Sequence, residues 1–323
     1  MKIPHILVVG SVNVDMVIKS PHLPAPRQTV TGGQFMMAPG GKGANQAVAA
    51  ARLGAKVTLV ACVGNDAFGR QAIENFRRAG IHTQAIARRR GHPTGIAMIL
   101  VDEGGENLIS VASGANAAWN HTPTFTRQMQ NLIGSADMVM LQLEIPIKTV
   151  VAVAEMAARA GVPVILNPAP APPLAALPKA AQRSLLRHVT YLTPNEIEAG
   201  QLSGLAVTDE NSARLAAGQL INLGSKAVII TMGAAGALLA DGRVSELIPA
   251  PCVHAVDTTA AGDAFNGALA VALARGDVSL ANAVREACLV GALCTTRLGA
   301  QPSLPTQRQV KAYRVTQRPC NTP

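Results

Sequence analysis

The feature that most constrains the fold is a regular alternation of short apolar runs with longer alanine-rich stretches. Runs such as HILVVG, KVTLVACVG, ADMVMLQ, VPVILNP and KAVIITMG have the length and β-branched content of buried strands. The stretches between them, among them ANQAVAAARLGA and KTVVAVAEMAARAG, have the composition of helices. This alternation predicts an α/β fold whose mostly parallel central sheet is flanked by helices. Ligands of such a fold bind beyond the carboxyl ends of the strands.

Two segments interrupt this alternation, at about residues 14–39 and 88–114. Gly, Pro, Thr and alternating residues replace the helical pattern there, which predicts a small accessory β-sheet. We expect this flap to cover a ligand and to pair with a second subunit. The chain from residue 1 to 305 is predicted to form one domain. Residues 306–323 are polar and basic, and we expect this tail to be partly disordered.

Composition and charge argue against several classes of protein. No apolar run reaches the ~18 residues that a membrane-spanning helix requires, and no cleavage site follows the first apolar stretch, so we expect a cytoplasmic protein without a membrane partner. The five cysteines include no C-x-x-C pair, which argues against a zinc site and a disulfide framework. The net charge of +9 suits an anionic partner. Aromatic residues, however, make up only 2% of the chain, so we predict no nucleic-acid partner.

The stretch DTTAAGDAFNG, residues 257–267, contains the strongest candidate for a catalytic group. Asp263 follows three small residues, Ala260, Ala261 and Gly262, and precedes an apolar run that predicts a buried helix. Small side chains let backbone N–H groups face a ligand, and the start of a helix favours an anion, so a phosphoryl group fits there. An Asp at a helix start is equally an ordinary N-cap. The neighbouring motifs decide between these two interpretations.

A second motif, APGGKGANQAVAAARLG, places glycines and polar side chains before a predicted helix. Gly40 and Gly41 permit close approach of the backbone to a polyol, and Lys42 and Asn45 supply hydrogen-bond donors. The spacing of a phosphate-binding P-loop is absent, so Lys42 is not interpreted as a P-loop lysine.

Acidic and amide side chains follow two of the predicted strands. Asn13 and Asp15, in GSVNVD, lie on the same side of an extended segment and suit sugar hydroxyls, although both are also common turn residues. Glu144 is the last residue of the run MVMLQLE, and a structural and a functional role for it are equally open.

Two motifs in the second half of the chain suit a nucleotide. Asn195 and Glu198, in TPNEIEA, are three residues apart on one helix face, where they could either hold hydrated magnesium or cap the helix. Thr231, Gly233 and Gly236, in ITMGAAGALL, follow a strand with open backbone that could line phosphates and ribose.

In order and spacing, eight motifs resemble those of the ribokinase group of the PfkB carbohydrate kinases: GSVNVD, GGKGANQAVAAARLG, VGNDAFG, NPAPA, TPNEIEAGQLSG, TMGAAGALL, DTTAAGDAFNGAL and GAQPSLP. The resemblance runs from about Ile6 to Pro305, and GGKGANQ and DTTAAGDAFNG are its specific parts. It implies a three-layer ribokinase-like fold with a small β-sheet lid. It also implies ATP-dependent phosphorylation of the 5-hydroxyl group of D-ribose, and a homodimer formed through the lid.

The resemblance further implies roles for individual residues. Asp263 would be the general base, and the amides of Ala260, Ala261 and Gly262 would form an anion hole. The residues implied to hold the sugar are Asn13, Asp15, Gly40, Gly41, Lys42, Asn45 and Glu144. Those implied to hold ATP with its Mg²⁺ are Asn195, Glu198, Thr231, Gly233 and Gly236. Those implied to hold an activating K⁺ ion are Asp257, Thr259, Thr295 and Ser303.

Two departures from the family pattern and three alternative functions stay open. The chain has Arg27-Gln28-Thr29 where the family commonly has Gly-Glu-Thr, and Cys288 where a His or Asn often borders the adenine.

A kinase for 2-deoxyribose or a nucleoside is one alternative function, but Asn13 favours a sugar that carries a 2-hydroxyl. A non-catalytic sugar-binding protein is another. A dinucleotide-dependent oxidoreductase is disfavoured because no G-x-G-x-x-G follows the first strand.

Overall fold

The computed structural model describes residues 2–316, and within them a 9-stranded sheet forms the centre of the molecule. The strand order is β13-β12-β11-β10-β9-β8-β1-β4-β5. All neighbours from β11 to β5 are parallel, whereas β12 and β13 are antiparallel to their neighbours. The strands are β1 His5–Val9, β4 Lys56–Gly64, β5 Ile86–Arg89, β8 Met138–Gln142, β9 Val164–Asn167, β10 Tyr191–Leu192, β11 Ala227–Thr231, β12 Ala237–Ala240 and β13 Ser245–Ile248.

Helices cover both faces of this sheet because its strands are apolar on both sides. In β1, Ile6 and Val8 pack into one core and Leu7 and Val9 into the other, as the alternation of side chains along a strand requires. The helices are α1 Lys42–Arg52, α2 Ala67–Arg78, α3 Pro123–Gly134, α4 Ile147–Arg159, α5 Pro172–Ala175, α6 Lys179–Leu186, α7 Glu196–Ser203, α8 Glu210–Asn222, α9 Ala261–Arg275, α10 Leu280–Thr295, α11 Ala300–Ser303 and α12 Gln307–Thr316. The predicted three-layer α/β fold is confirmed.

A second, 4-stranded sheet with the order β3-β2-β6-β7 forms the predicted lid. Its strands are β2 Asn13–Lys19, β3 Gln34–Gly40, β6 Gly95–Val101 and β7 Asn107–Ala112. One predicted boundary is wrong: residues 88 and 89 belong to β5, which pairs with β4 at the edge of the large sheet. Arg88 and Arg89 therefore lie along a sheet edge, where charged side chains discourage pairing with another chain.

The C-terminal segment contains more regular structure than its composition predicts. Helix α12 covers Gln307–Thr316, so the expectation of partial disorder does not hold there, and residues 317–323 lie outside the described residues. Val310 is 3% exposed and packs into the core, and Arg314 forms an ion pair with Glu286 of α10. The buried valine, this ion pair and a hydrogen bond from the Tyr313 hydroxyl to the Cys252 carbonyl connect the helix to the rest of the fold. Within residues 2–316, no helix is long and apolar enough to cross a membrane.

Candidate active site

Asp263 lies in the first turn of α9 and does not cap it. The N-cap is Ala260, which adopts a left-handed conformation with φ 60° and makes no side-chain capping bond. The Asp263 carboxylate is 7% exposed and accepts hydrogen bonds from Asn45 Nδ2 and Gln46 Nε2, each at 3.0 Å. The carboxylate therefore points toward α1 and a cavity, away from the end of its own helix.

The loop before Asp263 presents backbone amides at the start of a 15-residue helix. The Ala261 N–H group donates to the Thr258 carbonyl at 3.2 Å. Within residues 2–316, the N–H groups of Ala260 and Gly262 have no acceptor. A β-carbon added at Gly262 would meet no atom within 4 Å, so there is open space beside this residue. These amides and the helix dipole together favour an anion.

A lysine and several carboxylates surround Asp263 and set its charge. Burial raises the pKa of Asp263, while the charge of Lys42 and the hydrogen bonds from Asn45 and Gln46 act against that rise. Burial lowers the pKa of Lys42, but the surrounding carboxylates, led by Asp263 and Glu144, outweigh it and keep the pKa above its usual value. The site thus holds a protonated lysine beside a buried carboxylate whose proton affinity is raised.

A chain of buried amides fixes the orientation of the Asp263 carboxylate. Gln142 Nε2 donates to Gln46 Oε1 at 2.6 Å, so the Gln46 amide nitrogen must face Asp263 Oδ1 and Asn167 Oδ1. Both glutamines are fully buried. Asn266 Nδ2 donates to the Gly262 carbonyl at 2.8 Å within α9, and Asn266 Oδ1 accepts a hydrogen bond from the Thr193 hydroxyl at 2.6 Å. The amide groups leave the carboxylate little freedom to rotate.

Sequence reasoning missed this network, although its members carry a recognisable signal. Gln142 and Asn167 are the last residues of two otherwise apolar parallel strands, β8 and β9. A polar side chain at the carboxyl end of a parallel strand faces the ligand edge of the sheet. Gln46 follows Asn45 in the GGKGANQ motif and shares its contact with Asp263.

The predicted sugar residues lie together where β2, β3 and α1 meet. Glu144 Oε2 accepts hydrogen bonds from the Ser11 hydroxyl and from the Lys42 N–H group, so Glu144 ties the start of α1 to the loop after β1. Burial, together with the charges of Glu144 and Asp263, raises the pKa of Asp15 from 3.8 to about 6. Asp15 therefore loses its proton only near neutral pH.

Gly40 and Gly41 are needed here for close packing of the chain against itself. A β-carbon at Gly40 would lie 2.1 Å from Asp15 Oδ1. Gly41 has φ 91°, and its β-carbon would lie 2.7 Å from the backbone nitrogen of Asn13. The two glycines thus let the turn between β3 and α1 reach β2, and bring Asp15 to the start of α1.

The predicted nucleotide residues line two adjoining cavities of about 420 and 210 Å³. Thr231, Thr258, Ala261 and Gly262 line both, so one groove leads to Asp263. Its wider part includes the predicted residues Gly233 and Gly236, and also Cys288. Burial raises the pKa of Cys288 to about 12, so this thiol stays neutral where it borders the cavity.

Asn195 and Glu198 form a capping box at the start of α7. The Asn195 side chain accepts from the Glu198 N–H group at 2.8 Å, and Glu198 Oε2 accepts from the Asn195 N–H group at 3.0 Å. Burial raises the pKa of Glu198, and the hydrogen bond from Asn195 acts against that rise. The capping interpretation is correct, yet both residues also line the cavity with Lys42 and Asp263. Within the described residues, the second carboxylate oxygen of Glu198 has no hydrogen-bond donor.

The residues predicted to hold a monovalent cation are close together, and they fit such an ion unequally. Asp257 accepts hydrogen bonds from the N–H groups of Thr259 and Gly299, which outweigh burial and lower its pKa. The Ser303 hydroxyl donates to the Ala300 carbonyl and accepts a hydrogen bond from the Cys294 thiol at 3.0 Å, which leaves it one lone pair. The Thr295 carbonyl already accepts two N–H groups, those of Val256 and Asp257, and is the weakest member of the set. Within residues 2–316, no cluster of three His, Cys, Asp or Glu side chains could hold a metal.

The chain is similar to known sugar kinases over nearly its whole length. The sequence model described as "pfkB family carbohydrate kinase" matches residues 4–307. Ribokinase of Haemophilus influenzae is 41% identical over 306 residues, covering 95% of this chain and 97% of that protein. The structure of Arabidopsis thaliana ribokinase complexed with ribose and ATP aligns with a TM-score of 0.86 at 31% identity, over 97% and 98% of the two chains. Deoxyribokinase of Salmonella typhi is 34% identical over 95% and 98% of the two chains.

Proposed function

The chain belongs to the pfkB family of carbohydrate kinases, and from this we propose that it transfers the γ-phosphoryl group of ATP to the 5-hydroxyl group of D-ribose. The observation that carries the proposal is the position of Asp263. This buried carboxylate and the open amide of Gly262 line one cavity, which continues into the wider groove bordered by Gly233 and Gly236. A proton-accepting carboxylate and an anion-binding loop thus lie at the junction of the proposed sugar and nucleotide sites.

Asp263 accepts the proton of the sugar hydroxyl as that oxygen attacks the phosphorus atom. Phosphoryl transfer requires positioning and charge stabilisation more than covalent help. The amides of Ala260, Ala261 and Gly262 neutralise charge on the transferring group. The Ala261 amide also donates to the Thr258 carbonyl at 3.2 Å, so its hydrogen would be shared between that carbonyl and the transferring group.

The polar groups around the start of α1 bind the sugar hydroxyls. Carboxylates accept hydrogen bonds from hydroxyls, and the Lys42 ammonium donates to them. The clustering of these residues beside Asp263 supports this role, and the raised pKa of Asp15 makes sugar binding dependent on pH. The proposed sugar ligands are Asn13, Asp15, Gly40, Gly41, Lys42, Asn45 and Glu144.

The groove between α7 and β11 binds the nucleotide. An ATP-dependent kinase uses a divalent metal with its nucleotide, and we propose Mg²⁺, which neutralises phosphate charge when bound. Glu198 and Asn195 would hold the hydrated ion, and Thr231, Gly233 and Gly236 would contact the nucleotide. The cavity that these residues share with Asp263 supports the assignment.

A K⁺ ion as activator, a homodimer and a cytoplasmic location also belong to the proposal. Asp257, Thr259 and Ser303 offer the hard oxygen atoms that K⁺ prefers, and the hydrogen bond from the Thr259 N–H group to Asp257 links them to the anion-binding loop.

Four apolar side chains of the lid are about half exposed or more: Phe35, Met37, Met98 and Leu108. This exposed apolar surface supports a partner subunit there. Cys62, Cys252, Cys288 and Cys294 are free thiols, which suits a reducing compartment.

A coupled assay of ADP release tests the proposal across ribose, 2-deoxyribose, fructose and adenosine, with and without K⁺. We expect the highest kcat/KM for ribose, a lower value for 2-deoxyribose, and stimulation by K⁺. Phosphorylation at the 5-hydroxyl is checked by ³¹P–¹H correlation NMR of the product. A higher kcat/KM for 2-deoxyribose would favour the second candidate, a deoxyribokinase, which the similarity to the Salmonella typhi protein makes the nearest rival.

A further inference from the structure

Asn116 is a buried asparagine that no predicted role accounts for. It is 1% exposed and lies in a 3₁₀ turn, Gly114–Ala117, directly after lid strand β7. Its Oδ1 accepts the Val12 N–H group at 2.9 Å, and its Nδ2 donates to the Val12 carbonyl at 3.1 Å. The same Nδ2 donates to Asn13 Oδ1 at 2.7 Å.

These contacts leave one orientation for both amides. A backbone N–H group can only donate, so the side chain of Asn116 must turn its oxygen toward Val12 and its nitrogen toward Asn13. Asn13 must then turn its own oxygen toward Asn116. The Nδ2 of Asn13 has no acceptor within residues 2–316, and Asn13 borders a cavity together with Asn116 and Glu144.

We propose that Asn116 is a specificity-determining positioning residue: it holds Asn13 so that this residue offers only N–H donors to the substrate. The inference rests on the proposed function and adds that Asn13 is the donor, and the sugar hydroxyl the acceptor, in one hydrogen bond. A hydroxyl oxygen on the sugar satisfies the Asn13 donor, whereas a deoxygenated carbon leaves it unpaired inside the protein. Sites of this kind discriminate strongly against the analogue that lacks the hydroxyl.

Neighbouring residues pack closely against the pair on the sides away from the cavity. A β-carbon at Gly95, the first residue of lid strand β6, would lie 2.2 Å from Asn13 Oδ1 and 2.4 Å from Asn116 Nδ2. On the other side, the Trp119 indole N–H group donates to the Asn116 carbonyl at 2.8 Å. Trp119 is the only tryptophan of the chain, so its fluorescence reports on this turn.

Two substitutions break the pair in different ways. Asn116→Ala removes the partner, and Gly95→Ala keeps both asparagines but forces them apart. We expect each to lower kcat/KM for ribose by about 10-fold or more and to change kcat/KM for 2-deoxyribose by less than about 3-fold, because only ribose uses the contact. Asn107→Ala, an exposed asparagine of the lid, is the matched control and should leave both values unchanged.

Equal losses for the two sugars in both variants would overturn the inference, since a purely structural defect affects them alike. If neither variant folds, Asn13→Leu decides the question. Leu has nearly the size of Asn and removes the donor to the substrate, so discrimination between ribose and 2-deoxyribose must fall about 10-fold or more. Discrimination that persists in Asn13→Leu contradicts the proposed contact.

Binding without ATP separates this inference from the proposed function. Trp119 fluorescence and calorimetry should both show that the parent binds ribose more tightly than 2-deoxyribose. Discrimination in binding without any phosphorylation would refute the proposed function and support the inference. Equal kcat/KM and equal affinity for the two sugars in an active parent enzyme would refute the inference alone.

Discussion

Replacing Gln46 by Met tests whether the buried amides set the protonation of Asp263. Met has nearly the length of Gln and removes the donor that lies 3.0 Å from Asp263 Oδ1. The remaining donor to the carboxylate is Asn45. Loss of a hydrogen bond to the ionised form favours the protonated form, so the pKa of Asp263 rises further. A protonated Asp263 cannot accept the proton of the sugar hydroxyl, so the activity of the variant falls first at acidic pH.

The size of the effect follows from the burial of the carboxylate. A hydrogen bond to a charged group contributes about 1.5–3 kcal/mol, and a tenfold change in proton affinity corresponds to about 1.36 kcal/mol. Asp263 is 7% exposed, so water screens little of this contribution. The acid limb of kcat should therefore move to higher pH by about one to two pH units, with rates near those of the parent at alkaline pH.

The assay is kcat at saturating ribose and Mg-ATP from pH 5 to 9. Saturation keeps the titration of Asp15 in the free enzyme out of the profile. Gln219→Met, at an exposed position of α8, is the matched control, and thermal unfolding checks that both variants fold. A uniform loss at every pH with an unmoved acid limb would refute the reasoning, because it would assign Gln46 a structural role only.

Two further predictions concern the sugar site and the lid. Asp15→Asn should weaken ribose binding and also stabilise the protein. Folding raises the pKa of Asp15 from 3.8 to about 6. The ionised carboxylate therefore lowers the free energy of unfolding above pH 6 and has no effect on it below pH 3.8. Thermal unfolding should show a gain of about 1–2 kcal/mol at pH 7.5 after allowance for partial exposure, and little gain at pH 3.5; equal gains at both values would contradict the assignment. Met98→Glu, on the exposed lid, should shift the protein from dimer to monomer in sedimentation equilibrium, and an unchanged mass would exclude the lid as the interface.

The sequence predicts the fold well because its signals are local. The apolar runs became the strands of the large sheet, and the irregular segments became the lid, since strand and helix periodicity depend on neighbouring residues. The C-terminal helix escaped prediction because its single buried valine, Val310, gives too short an apolar pattern.

The candidate site was predictable only in part. Asp263 stood out because small residues and a buried helix flank it in sequence. Gln46, Gln142 and Asn116 did not, because their roles depend on partners up to 217 residues away. The close packing of Gly40 and Gly41 against β2 and Asp15 was also missed, and their contact with a ligand stays a prediction. Contacts between distant segments have no signature in local pattern, and they decide which polar residues face the site.

The most direct test of the account is the rate of phosphoryl transfer by Asp263→Asn in a single turnover. Binding of ribose and ATP should stay within a few-fold of the parent, because both substrates have many other ligands. The transfer rate should fall by about 10²–10⁴-fold, the usual contribution of a general base. Thermal unfolding checks that the variant folds, since its new NH₂ group faces the donors Asn45 and Gln46. Transfer near the parent rate by a folded variant that binds both substrates would contradict the assignment of Asp263 as the base.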